Sequence, residues 1–182
     1  MDENCVSVAT THMNAYRNVD ELWQEIFGGP LPDEGLTLEE AEELLDRTGG
    51  KYQWQCFLPD ATKTAFQNLQ EKHTSTHDHV GIALYSRHDN SGHAVNMYDQ
   101  RHGGLYGVER GVFFRDYQHD KHGAVCTEIK SDTIKAIYVA SPDMANWPLD
   151  NAMEERKRLL GPPGSEWWFS RTGANSSISD TY

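Results

Sequence analysis

Cysteine is scarce in this chain, and its few copies are badly placed for a scaffold. Cys5, Cys56 and Cys126 cannot all pair, and no Cys-x-x-Cys spacing offers a zinc knuckle, so neither a disulfide framework nor a structural metal is indicated. That usage points to a reducing working compartment. Positive charge is also scarce. Sixteen basic side chains stand against 28 acidic ones, a formal net charge of −12 that repels a phosphate backbone and argues against nucleic acid as a partner. The same excess suits solubility, or a basic protein such as an inhibitor or a positively charged substrate segment. Long apolar runs are missing as well: nothing is long enough to span a bilayer, and no basic stretch followed by an apolar one opens the chain. The sequence reads as soluble and not membrane-associated. It carries no internal repeat and no low-complexity tract.

What is present is enough chain, at 182 residues, for one compact domain with its own core. From Val6 the apolar positions Val8, Ala15, Val19, Leu22 and Ile26 recur at helical spacing, with Asn4 as the cap and a break at Arg17-Asn18, where Asn18 and Glu21 begin a second piece. Gly28-Gly29-Pro30 ends it. Thr37-Leu38-Glu39-Glu40 is a capping box, and Leu38, Ala41, Leu44 and Leu45 give the next helix its buried stripe before Gly49-Gly50. Tyr52 to Leu58 alternates like a strand, and Pro59-Asp60 is read as opening a helix over roughly 61–73. Thereafter the pattern turns to β, with runs at His79 to Tyr85, Ala94 to Tyr98, Val112 to Phe114 and Thr133 to Ala140 separated by turn residues. Helices first and a mostly antiparallel sheet afterwards predict an α+β domain over 1–169. A last helix is expected at Asn151 to Leu160, Trp167-Trp168 is expected to pack back on the body, and 170–182 reads as a loose tail.

Two short blocks carry chemistry: Asn4-Cys5-Val6-Ser7-Val8-Ala9 near the start and Gly92-His93-Ala94-Val95-Asn96-Met97 much later. A cysteine is a nucleophile as the thiolate, and the first turn of a helix favours that form through its dipole and free N–H groups. Cys5 has that placement. His93 opens a strand where its ring can face the sulfur and complete the activation. A third group should brace the far nitrogen of the ring. Asp116 qualifies, because the strand Val112-Phe113-Phe114 delivers it where it ends and the link through Gly103, Gly104 and Gly107 makes that strand a hairpin neighbour of the His93 strand. Asp99, six residues past His93 along one strand, is about 20 Å away, and Asn96 points to the opposite face. Cys56 and Cys126 sit in strand-like runs and read as small buried hydrophobes. His77, His79, His88, His102, His119 and His122 read as solvated turn residues.

Taken together, Asn-Cys-Val-x-x-Ala at a helix start, Gly-His-Ala-Val-Asn at a strand start, and a hairpin into Val-Phe-Phe-x-Asp-x-Gln resemble the papain-fold toxin domains of bacterial polymorphic toxins and secreted effectors. The resemblance spans Cys5 to about Gln118. It implies a papain-like fold in which N-terminal helices carrying the nucleophile pack on the sheet, with Cys5 the nucleophile, His93 the base and Asp116 its orienter. Gln118 matches the glutamine two places past the aspartate in that pattern. Some members of the family deamidate glutamine side chains of host proteins, and others act as proteases.

The expected activity is therefore a cysteine hydrolase acting on a carboxamide without a metal or other cofactor. Cys5 forms a thioester, and the oxyanion meets the backbone N–H at the helix start together with Asn4; Gln118 is placed with Asn4 on the oxyanion and substrate side. The resemblance implies secretion or delivery, a target protein in the cytoplasm of a recipient or host cell, and a cognate immunity protein. The alternatives are a protease or transacylase on the same triad, a non-catalytic acidic binding or immunity protein in which Cys5 and His93 never meet, and a metal-dependent hydrolase built on the histidines between His73 and His122. The position of Cys5 suggests a domain cut from a larger polypeptide, with Met1 an added start.

Overall fold

The computed structural model describes residues 4–14, 16–32, 35–48, 52–72, 79–100, 111–141 and 168–169. Four helices occur among them: α1 (Cys5–Met13), α2 (Val19–Phe27), α3 (Leu38–Arg47) and α4 (Ala65–Lys72). The strands are β1 (Leu36–Thr37), β2 (Gln53–Phe57), β3 (His79–Arg87), β4 (Ser91–Gln100), β5 (Gly111–Asp116), β6 (Ala124–Val125), β7 (Ile134–Ser141) and β8 (Trp168–Phe169). They join in one sheet in the order β1-β8-β4-β3-β7-β2, with β5 on β4 and β6 on β5. Every pairing is antiparallel except β4 with β8. The fold is α+β, as the order of patterns predicts.

Most helix boundaries follow local chemistry already visible in the sequence. Asn18 caps α2 by accepting from the Glu21 N–H at 2.8 Å, and Gly28 closes it in the left-handed conformation at φ 68°. Thr37 and Glu40 form the reciprocal capping box of α3. The helix expected from residue 61 begins instead at Ala65. Asp60 holds a turn, its Oδ1 accepting from the N–H groups of Thr62 and Lys63 at 2.9 Å each, and the helix waits for the Thr64–Gln67 pair, which bond each other's backbone N–H at 2.8 and 3.1 Å. The helix expected at 151–160, the tail from 170, Trp167 and the glycine link after β4 lie outside the described residues. Trp168 does join the sheet, paired with Ser91 and Thr37.

The sheet separates two apolar layers, because alternate residues of each strand face opposite ways. On one side Ile82, Leu84, Ala94, Ala136, Tyr138 and Ala140 pack with the first three helices. On the other, Ala83, Tyr85, Val95, Met97, Val112, Phe114, Ile137 and Val139 pack with Ala65, Phe66 and Leu69 of α4. In α1 the hydroxyls of Thr10 and Thr11 return to the carbonyls of Val6 and Ser7 at 2.7 Å, which lets a polar helix be buried. Trp23 of α2 donates its indole N–H to the Ser7 hydroxyl at 2.8 Å, and Asn96 of β4 donates to the Ala9 carbonyl at 3.0 Å. Those bonds fix α1 lengthwise along β4.

Gly81 marks where β3 lies closest to β7: a methyl group there would stand 2.6 Å from the Ala140 carbonyl oxygen and 3.1 Å from Ser141 Cβ. Gly81→Ala is therefore expected to destabilise the protein by about 2 kcal/mol through overpacking against backbone, read as a lower urea midpoint at unchanged slope.

Candidate active site

β4 has two partners on one edge. β8 pairs with Ser91 and Gly92, and β5 pairs from Asn96 to Gln100, so His93, Ala94 and Val95 lie between the two ladders. The amino end of α1 reaches the strand at this gap, running in step with it from Cys5 near His93 to Ala9 at Asn96. His93 is fully buried on the face of Val95 and Met97, with the Tyr85 ring edge-on to it at 5.8 Å between centroids. The register that sets Asn96 against Arg115 and Met97 against Phe114 brings Asp116 alongside.

Asp116 Oδ2 lies 2.7 Å from His93 Nε2. Its other oxygen accepts from the backbone N–H groups of Gln118 at 3.0 Å and His119 at 3.1 Å. Burial alone would push this carboxyl up, but the bond and charge of His93 and those two N–H groups outweigh it and hold the pKa below the usual value. The turn carrying these donors is itself fixed, since the Tyr117 ring stacks on His12 of α1 at 3.7 Å and its hydroxyl meets that of Tyr98 at 3.0 Å.

Cys5 is the first residue of α1, 1% exposed and within the apolar layer beside the helices. Its side chain nonetheless lies near enough to His93 to act on the ring's titration. Burial opposes a charged ring at His93, yet the charge of Cys5, the bond from Asp116, the bond from Cys5 and the Asp116 charge together push its pKa up to about 9. A ring that holds its proton at neutral pH stabilises an anionic sulfur beside it. With Nε2 committed to Asp116, Nδ1 is the ring nitrogen left on the other side of the ring.

The structure places Asp116 against the His93 ring, with Cys5 near the same ring. Asn4 departs from expectation: it occupies the cap position of α1 at φ −126° and ψ 25°, but its side chain makes no capping bond. Its Oδ1 accepts instead from Gln118 Nε2 at 2.9 Å. Gln118 thus contacts the residue next to Cys5. Asp99, by contrast, pairs with His79 and Val112, away from His93. Cys56 and Cys126 are buried as expected, and His88, His119 and His122 are exposed. Among the described residues no three His, Cys, Asp or Glu side chains are grouped to hold a metal ion, and no helix is long and apolar enough to cross a membrane.

Sequence reasoning missed three things. One was Ser86, opposite Gly92 in the ladder, whose hydroxyl is fully buried with no partner among the described residues. The others were the short strand β8 and the Arg87–Glu128 pair. In that pair Glu128 Oε1 accepts from Arg87 Nε at 2.6 Å, while Oε2 accepts from Arg87 Nη2 at 3.0 Å and from Tyr85, the ring beside His93, at 2.5 Å. No run of residue types announces such a pair. No protein-family model matches the chain, and no curated protein sequence matches it.

The signs of the two shifts fix a pH window. His93, raised from 6.5 to about 9, contributes stability that is complete below 6.5 and lost as pH rises through about 9. Asp116, lowered from 3.8, contributes stability present above that value and lost as pH falls through its lowered one. The stability margin of the wild type over Asp116→Asn should therefore be widest between 3.8 and 6.5 and narrow on both sides, checked by urea midpoints across pH. NMR should show the His93 ring titrating near 9 in the wild type and lower in Cys5→Ala.

Proposed function

We propose that this chain is a papain-like cysteine hydrolase of the toxin and effector type, acting on a protein glutamine side chain. The observation that carries the reading is the buried line from Cys5 through His93 to Asp116, with the thiol at a helix start and the acid behind the ring. The short motifs around those residues, which resemble the papain-fold toxin domains, supply the substrate class and the setting: a target protein in the cytoplasm of a recipient cell, with a cognate immunity protein as inhibitor. The net charge of −12 favours a basic surface on either partner.

The reaction runs in two halves. The Cys5 sulfur attacks the side-chain carbonyl carbon, a C–S bond forms, and the carbonyl pair moves onto oxygen, which faces the N–H groups at the start of α1. The His93 imidazolium gives its proton to the departing nitrogen, the C–N bond breaks, and ammonia leaves a thioester. His93, now neutral, takes a proton from water as the water's oxygen attacks the same carbon. Collapse of the second tetrahedral intermediate releases glutamate and returns the sulfur to its place beside the imidazolium. Asp116 stays ionised throughout, fixing the tautomer and easing the charge on the ring.

Expression in recipient cells tests the reading. Wild-type chain should be toxic and leave target-protein glutamines heavier by about 1 Da, while Cys5→Ala should do neither and remain folded. A cut target would mean proteolysis and a larger adduct transfer; toxicity undiminished in Cys5→Ala would overturn the assignment. Asp116→Asn should lower the rate by roughly 10³-fold with Cys5 still present.

A further inference from the structure

We propose that Gln118 is a positioning residue that keeps the amino end of α1 open for the oxyanion by holding the Asn4 side-chain carbonyl away from it. The inference deepens the hydrolase reading of the same site and rests on it.

The protein supplies its own control. Of the four helices among the described residues, α2, α3 and α4 have a side-chain oxygen accepting from their first turn, from Asn18, Thr37 and Thr64. Only α1 has none, although asparagine stands at its cap and is among the best capping residues. Asn18, the same residue type, caps α2 from an extended backbone at φ −160° and ψ 172°; Asn4 has turned away to φ −126° and ψ 25°. Gln118 accounts for the difference, because its amide donates to Asn4 Oδ1 at 2.9 Å and leaves that oxygen committed. The first turns of α2 and α3 also carry acids, Asp20 and Glu21 in one and Glu39 and Glu40 in the other, whereas α1 has none in its first turn. Negative charge or a capping carbonyl at that end would compete with a substrate oxyanion for the same N–H groups.

Ser86 faces Gly92 across the ladder, one residue from His93, on the sheet face that packs with the first three helices. Its buried hydroxyl has no partner among the described residues, so a polar group remains to be satisfied close to the His93 strand position. Gln118 is also well placed to coordinate the two halves of the site, since its own N–H bonds the carboxylate that orients His93.

Two reagents on the full chain separate this role from a general one. With p-nitrophenyl acetate the Cys5 thiolate adds to a carbonyl, an oxyanion forms, and collapse expels nitrophenolate to leave acetyl-Cys5. With iodoacetamide the sulfur displaces iodide at a saturated carbon, and no oxyanion forms. Gln118→Ala should slow acylation of Cys5 by about 10²-fold while alkylation stays within about twofold, because one loses its hydrogen-bond donors and the other never uses them. The thermal midpoint should be equal or higher, as Asn4 is freed to cap α1. Adding Asn4→Gly to Gln118→Ala removes the competing carbonyl and should restore acylation to within about tenfold of wild type. Gln118→Met, which keeps the side-chain length without the donor, gives the same divergence if the alanine variant does not fold. Equal slowing of both reactions, no slowing, or no recovery in the double variant would overturn the inference while leaving the hydrolase reading intact. Wild-type Cys5 inert to both reagents at mildly acidic pH would overturn that reading and this inference with it.

Discussion

A carboxylate taken out of water has to be satisfied by the protein, and the way Asp116 is satisfied organises this molecule's functional end. Its two oxygens accept from the His93 ring and from two successive backbone N–H groups of the turn that follows β5. An ionised carboxylate with fewer donors would cost several kcal/mol at that depth. Meeting that requirement forces the turn at Tyr117–His119 to fold back over the end of its own strand. Once there, the turn presents Tyr117 to His12 and Gln118 to Asn4, so it grips α1 at both ends. One electrostatic demand thus sets His93, Asp116 and the start of α1 together.

The sheet supplies the other half of the arrangement. A strand with continuous partners on both edges would have no room for a helix end beside its third residue. β4 changes partner along one edge, from β8 to β5, and the short stretch between the ladders is where His93 stands. The helix is held in step with the strand by the Asn96 amide on the Ala9 carbonyl. Because Asn96 lies an odd number of places from His93, it faces the helix layer while His93 faces the layer with Tyr85 and Val95. The thiol therefore approaches from one layer and the imidazole and carboxylate from the other.

What was legible in the sequence divides along the same physical line. Caps and turns are local, so Asn18, Thr37 and Gly28 announced their helix ends correctly. The hairpin bringing Asp116 to His93 was legible because hydrophobic alternation and a turn-rich link together fix a register. Asn4 was misread as a cap because its competitor, Gln118, is 114 residues away and local chemistry cannot see it. The start of α4 was placed too early for a different reason: Asp60 offers both an N-terminal helix signal and an Asx turn, and the turn prevailed since the Thr64–Gln67 pair makes the better cap. The partner change along β4 had no signal of its own, since one of the two partners is a strand of two residues.

Burial of the thiol and the ring shapes what chemistry the arrangement favours. Cys5 is 1% exposed and His93 wholly buried, so opposite charges there attract strongly while a charge standing alone is costly. Cys5 and Asp116 together raise the ring's affinity for its proton despite a burial that should weaken it. The same closeness means that a carbonyl reaches the sulfur only by displacing something from around it. Access and reaction are then linked: a small amide that gains little from the surface cannot meet the cost of opening, whereas a protein segment with an extended contact can. Under the proposed chemistry, selectivity thus begins at the opening step, and the N–H groups at the head of α1 act only on a carbonyl that has already paid it.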